Sequence, residues 1–212
     1  MGRYALNSAL VAGAAVPLTL LTASWAGFAL AQSGARARER LIALTVLLLM
    51  APVTAVWLVR FILFREIGLF NSYGALLAPS LMGSSPLFVL LFYWNFRRIP
   101  TELYEAARLE GAEAWGVWRH VGLPLSRATL IAVGALTFLL YWNDFITPLL
   151  YLKSQTLYTL PVGLRQLQEL DRTNWPLLMA GAVVMTAPPV LLFALAQRFF
   201  LRENRLAGMD GY

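Results

Sequence analysis

The sequence predicts an all-α integral membrane protein with about five transmembrane helices and one long, ordered loop. Two observations carry the prediction. Of 212 residues, 59% are hydrophobic and only 13% charged, with a mean hydropathy of +0.63. Soluble domains average roughly 45–50% apolar and about 25% charged residues. The same numbers exclude a disordered chain, which needs low hydrophobicity and high charge. The second observation is the distribution of charge: residues 4–35, 41–59, 67–96, 128–143 and 173–197 carry none. About 20 apolar residues cross the hydrocarbon.

The first run gives a span at about 7–31. A cleavable signal peptide is the rival there, because Ala29-Leu30-Ala31 resembles a small-residue cleavage site. The apolar run is nevertheless far longer than the roughly 7–15 residues of a signal peptide's core. The next spans are expected at about 41–64 and 74–96. The fourth run is short unless Asp144 is admitted, after which it extends over about 125–152. The fifth covers about 175–200. Residues 1–212 form one membrane domain, with no internal repeat. Pro17, Pro52, Pro79, Pro86, Pro148, Pro188 and Pro189 fall within or beside these runs. They are compatible either with ordinary bundle packing or with broken helices lining a pathway.

Sixteen arginines and the single Lys153 set the orientation. Eleven lie on one side, at 36, 38, 40, 97, 98, 108, 119, 127, 198, 202 and 205; six lie on the other, at 3, 60, 65, 153, 165 and 172. Cytoplasmic loops carry the Lys/Arg excess. The N-terminus is therefore expected outside and the C-terminus in the cytoplasm. A pI near 10.1 would raise nucleic-acid binding in a soluble protein. Here the cations sit between apolar runs, and topology explains them without a nucleic-acid partner. No cysteine is present, and one histidine leaves little for a metal site. No metal ligands and no catalytic residues are expected. His120 has no nucleophile or carboxylate motif near it, and it is expected to face the cytosol or a partner.

Residues 97–124 are the most informative loop. Pro100 and Thr101 mark a helix start, with Thr101 an acceptable N-cap and Glu102 well placed in the first turn. Glu105, Ala106, Ala107, Arg108 and Leu109 continue it, and Gly111 ends or bends it. Ala106, Ala107 and Gly111 keep part of the surface small, so another backbone could approach, and Glu105 could pair with a basic partner. A second short helix, about 113–121, should close at Gly122 before Leu123-Pro124. The alternative is a solvated loop joining two spans.

Glu105-Ala106-Ala107, three residues, Gly111-Ala112, then Leu123-Pro124-Leu125 resembles the EAA loop of ATP-binding-cassette (ABC) importer permeases. Leu69-Phe70-Asn71-Ser72-Tyr73, Arg98-Ile99-Pro100 with Glu102-Leu103, and Trp142-Asn143-Asp144-Phe145 with Pro148-Leu149 are similar to the carbohydrate-uptake (MalG-like, binding-protein-dependent inner-membrane component) family. So are Tyr158-Thr159-Leu160-Pro161-Val162-Gly163-Leu164 and Met179-Ala180-Gly181-Ala182. The resemblance covers about residues 7–209. That family ordinarily has six spans, and Tyr4-Ala5-Leu6-Asn7-Ser8 matches it only from the second. A truncation, a misassigned start or a five-span variant would each account for the missing first helix of the type I fold.

The resemblance implies a permease that works with a second homologous permease subunit, two ABC ATPase subunits and an external solute-binding protein. The cofactors, ATP and Mg, would be bound by the ATPase subunits, since this chain has no G-x-x-x-x-G-K-[ST] motif. Glu102, Glu105, Ala106, Ala107, Gly111, Ala112, Leu123 and Pro124 would couple to an ATPase. Trp142, Asn143 and Asp144 are candidates for the translocation path. Asp144 could instead cap a helix break ahead of Pro148. Tyr158, Pro161 and Gly163 are candidate contacts for the binding protein, or part of a plain loop. Arg97 and Arg98 anchor the chain to membrane lipid. The implied location is a bacterial or archaeal cytoplasmic membrane, and the implied solute a sugar, polyol or glycerol phosphate. Other importer solutes, a passive channel and an intramembrane enzyme are the remaining alternatives. A channel would leave the EAA loop unexplained, and an enzyme would need clustered polar groups that the spans lack.

Overall fold

The computed structural model describes residues 1–170 and 175–207, with side chains described over 1–170 and 175–197. Arg172 and the side chains of Arg198, Arg202 and Arg205, counted above for orientation, lie outside the described residues. The elements are helices: α1 Gly2–Gln32, α2 Ala35–Met50, α3 Val53–Glu66, α4 Tyr73–Leu77, a 3-10 turn Ala78–Met82, and α5 Pro86–Arg98. There follow α6 Thr101–Leu109, α7 Ala114–Val117, a π turn Trp118–Gly122, α8 Leu123–Leu125 and α9 Arg127–Trp142. Beyond these come α10 Ile146–Tyr151, a 3-10 turn Gln155–Leu157, α11 Leu160–Leu170 and α12 Trp175–Ala207. Among the described residues there is no strand.

Among the described residues, three helical segments are long and apolar enough to cross a membrane alone: Gly2–Gln32, Tyr73–Arg98 and Trp175–Gln197. The count reaches five if each of two bent pairs is one span. The expected span at 41–64 is one such pair, because α2 and α3 meet at 91°. Proline disfavours the helical region for the residue before it. Ala51 accordingly takes φ −66°, ψ 124° ahead of Pro52. The other pair is Ala114–Leu125 with α9, at 85°. The expected span at 125–152 is interrupted again, at Asn143–Phe145 between α9 and α10. By contrast α1 runs through Pro17, and α12 through Pro188 and Pro189.

The chain divides into two compact units. The first comprises residues 1–15, 56–78 and 135–212. Val11, Phe64, Leu76, Tyr141, Trp142, Tyr151 and Leu160 are buried in its core. The second comprises residues 16–55 and 79–134, with Phe28, Phe88, Phe92, Phe96, Tyr104, Val117 and Trp118 at its centre. Gly27 is needed here, since a Cβ at that position would meet Phe92 Cβ at 2.6 Å and the Tyr93 nitrogen at 2.9 Å. α2 buries no residue, and α12 exposes Val183, Val190, Leu191, Phe193 and Leu195. Such apolar outer faces suit helices whose solvent is lipid.

Candidate functional site

The loop of residues 97–124 is built within the second unit. α6 starts one residue earlier than Thr101 capping would require: Pro100 is the N-cap residue, Thr101 is the first helical residue, and no side chain caps the start. Ile99 is held extended by the proline that follows it. At the other end Gly111 takes φ +88°. Its N–H donates to Arg108 O at 3.0 Å, and that of Ala112 donates to Ala107 O at 3.0 Å. This paired pattern is the Schellman closure, which favours glycine at the left-handed position.

Two contacts hold one face of α6. The Tyr104 hydroxyl donates to Phe96 O at 3.1 Å, and Arg108 Nη2 donates to Gln32 Oε1 at 2.7 Å. Burial pushes the Tyr104 phenol up to about 12. Its ring packs edge-on to Phe28, centroids 6.0 Å apart. The EAA segment presents two faces rather than one small surface. Ala107 and Ala112 pack against the core, whereas Glu102, Glu105, Ala106 and Gly111 are exposed. Leu109, 90% exposed, stands at the tip.

The second loop helix runs past its expected end at Gly122. A π turn with Leu123 N donating to Trp118 O carries it through to Leu125, a register in which Pro124, which has no N–H, is accommodated. Gly122 serves close packing instead: a Cβ there would lie 3.0 Å from the Phe96 ring. Leu123 is half-buried on the core and Pro124 is exposed. The chain turns at Ser126, whose Oγ lies 2.6 Å from Asn95 Oδ1 and 2.8 Å from Gly122 O. Asn95 therefore holds this turn. His120 is exposed, with Nδ1 3.0 Å from Gly116 O.

In the first unit the three translocation candidates part company. Trp142 is buried, donates Nε1–H to Met185 O at 2.9 Å and stacks on Phe138 at 5.4 Å. Asn143 is exposed and bonds back to Leu139 O at 3.0 Å. Asp144, half-buried, accepts from Thr147 N at 3.1 Å and so caps the restart of the chain as α10.

The expected binding-protein contacts divide similarly. Pro161 and Gly163 are buried and offer no surface; a Cβ on Gly163 would lie 2.2 Å from the Tyr4 ring. Tyr158 is half-buried, with its hydroxyl donating to Lys153 O at 3.2 Å. The residue types around them gave no signal of this, because the partner of Gly163 is more than 150 residues away. The outer surface of that loop is formed by Lys153, Gln155, Thr156 and Arg165. Asn7 Nδ2 holds it through Thr156 O at 3.0 Å and Tyr158 O at 2.9 Å. Asn71 pins its start: Oδ1 accepts from Lys153 N and Ser154 N, both at 2.9 Å, and Nδ2 donates to Ser154 Oγ at 2.8 Å. Beside α11 lies a cleft of about 540 Å³, lined in part by Phe145, Tyr158, Arg165, Gln166 and Glu169.

The profile of the binding-protein-dependent transport system inner membrane component matches residues 15–205. The chain belongs to that family. It is an ABC importer permease, a transporter component set in a membrane. The permease is 34% identical over 205 residues to the arabinooligosaccharides transport system permease protein AraQ of Halalkalibacterium halodurans, covering 97% of this chain and 73% of that one. It is 30% identical over 196 residues to the lactose transport system permease protein LacG of Rhizobium radiobacter, covering 92% and 71% respectively. A crystal structure of a bacterial ABC transporter involved in the import of the acidic polysaccharide alginate shares its fold, with a TM-score of 0.76 at 20% identity. That match covers 93% of this permease and 74% of the solved chain.

Proposed function

We propose that this permease passes a saccharide or related polyol inward by alternating access, receiving it from an external binding protein. Residues 97–124 are its contact with a cytoplasmic ATPase. One observation carries the proposal: α6 is held along one face by Tyr104 and Arg108, while Leu109, Ala106, Glu105 and Gly111 are left uncovered. An apolar tip on a rigid mount fits a cleft in a partner and transmits displacement to α5 and α1. The arabinooligosaccharide and lactose permeases among the relatives support the solute class.

In the working assembly a second homologous permease subunit completes the path and two ATPase subunits bind ATP and Mg. Alternating access follows from differential contacts in the two states. The arginine asymmetry supports an outside N-terminus and a cytoplasmic C-terminus. Asn143 and Asp144, at the break between α9 and α10, are the residues of the expected path that remain accessible.

Native mass spectrometry of the tagged chain, purified in mild detergent from its own membrane, tests this. The expected particle contains one homologous permease and two ATPase subunits. A lone chain or a homo-oligomer, reproducible across detergents, would overturn the importer assembly.

A further inference from the structure

We infer that the cleft beside α11 is a subsite for an uncharged saccharide, the first surface of this subunit that a delivered solute meets. The inference rests on the import of a saccharide proposed above, and on its orientation. Its volume of about 540 Å³ falls within the roughly 300–1,000 Å³ of small-molecule sites.

The walls differ in chemistry. Phe145, Leu149, Tyr158 and Val162 line it with aromatic and aliphatic surface, against which the C–H face of a sugar can pack. Arg165, Gln166 and Glu169 offer donors and acceptors to its hydroxyls. Arg165 Nε lies 2.8 Å from Glu169 Oε1, and both side chains remain more than half exposed, at 56% and 55%. The pair cancels its own charge yet stays open to a ligand. A lone guanidinium would select anions; this pair favours a neutral polyhydroxyl solute.

Preorganisation supports the same assignment. Tyr158 is held at both ends, its hydroxyl by Lys153 O and its carbonyl by Asn7 Nδ2. Phe145 follows directly on Asp144, whose carboxylate fixes the start of α10. Walls that are already ordered lose little freedom when a ligand arrives. Residues 3–8 of α1 tie down the adjoining loop, through Arg3, Asn7 and Ser8. Under the proposed orientation this is the outer end of the chain.

The absence of cysteine gives a direct test. Arg165→Cys and Glu169→Cys, placed separately in the full importer in proteoliposomes, each supply the only thiol of this chain. Glu66→Cys, exposed at the end of α3 and absent from the cleft lining, is the control. Maleimide labelling of this subunit is followed with lactose, arabinotriose or glycerol 3-phosphate as probe. ATP hydrolysis by the wild-type importer is measured with the same three.

At least one of the two neutral sugars should slow labelling about fivefold or more at both cleft positions, with no change at the control and none from glycerol 3-phosphate. If either sugar stimulates hydrolysis in the wild type but neither protects the cleft thiols, the subsite is overturned while saccharide import stands. Equal slowing at the control position also overturns the subsite. If none of the probes, or glycerol 3-phosphate alone, stimulates hydrolysis, both the solute class and the subsite fall.

Discussion

Replacing Gly111 with arginine should abolish coupling without unfolding the loop. Gly111 sits at φ +88°, and a Cβ built there meets nothing within 4 Å. The intramolecular cost is therefore backbone strain alone, roughly 1–2 kcal/mol for an L-residue in the left-handed region. The hydrogen bonds of Gly111 N and Ala112 N that close α6 are made by backbone, and they survive the substitution. The arginine side chain extends into the space beside Leu109 and Ala106, where the partner ATPase is proposed to pack. Gly111→Asn is the control, because asparagine tolerates left-handed backbone and adds little bulk. Binding-protein-stimulated ATP hydrolysis and uptake are measured in proteoliposomes, with the amount of co-purified ATPase recorded alongside. The arginine variant should lose at least tenfold in stimulated uptake, equivalent to about 1.4 kcal/mol or more of coupling. The asparagine variant should keep most of its activity. Full uptake by Gly111→Arg, or equal loss by both variants, would refute a close approach at this glycine.

Three further outcomes follow from named contacts. Tyr104→Phe leaves Phe96 O, one of the orphan carbonyls at the end of α5, without its donor; it should cost about 1–3 kcal/mol, read as a lowered thermal midpoint in detergent. The raised phenol also fixes a sign: folding favours the neutral form, so this stability is complete below pH 10 and is lost as pH rises toward about 12. The Phe variant should lack that alkaline loss. Asn71→Ala removes three side-chain hydrogen bonds to residues 153–154 and should cost about 2–4 kcal/mol, seen as faster proteolysis of the 152–158 loop. Asp144→Asn keeps an acceptor for Thr147 N, so the complex should assemble normally while uptake falls severalfold; unchanged uptake would leave Asp144 with capping alone.

The bounds of α6 were legible because their signals are local. A proline opens α6, a glycine closes it through a backbone conformation that other residues resist, and both lie within a dozen residues. The second loop helix was misjudged at Gly122 for the opposite reason. That glycine is in ordinary helical backbone, and its purpose is the Phe96 ring 26 residues earlier in the chain. The spans were legible as apolar runs, but not their inner faces. A helix surrounded by lipid is apolar on every side, so the periodicity that marks a buried face in water is erased. Nothing in the residues around Trp142 showed that it is buried with its donor on Met185, 43 residues further along the chain. Proline was no guide either: Pro52 accompanies a 91° bend, whereas α1 continues through Pro17.

The contacts of α6 explain how so short an element holds its place. A nine-residue helix is marginal in water by itself, since isolated helices need roughly 12–15 residues. Its rigidity must come from elsewhere, and the contacts show where. Tyr104 fastens it to the last turn of α5, Arg108 to the last residue of α1, and Ala107 rests on the same aromatic core. The glycine closure then stops the helix at the tip without adding bulk there. Tyr104, Ala107 and Arg108 share one face of α6, and none of these contacts uses the side chain of Glu105, Ala106 or Leu109. The residues that hold the helix are therefore distinct from those left to meet a partner. Substitutions at the tip should impair coupling while sparing the fold, and substitutions at Tyr104 should impair both.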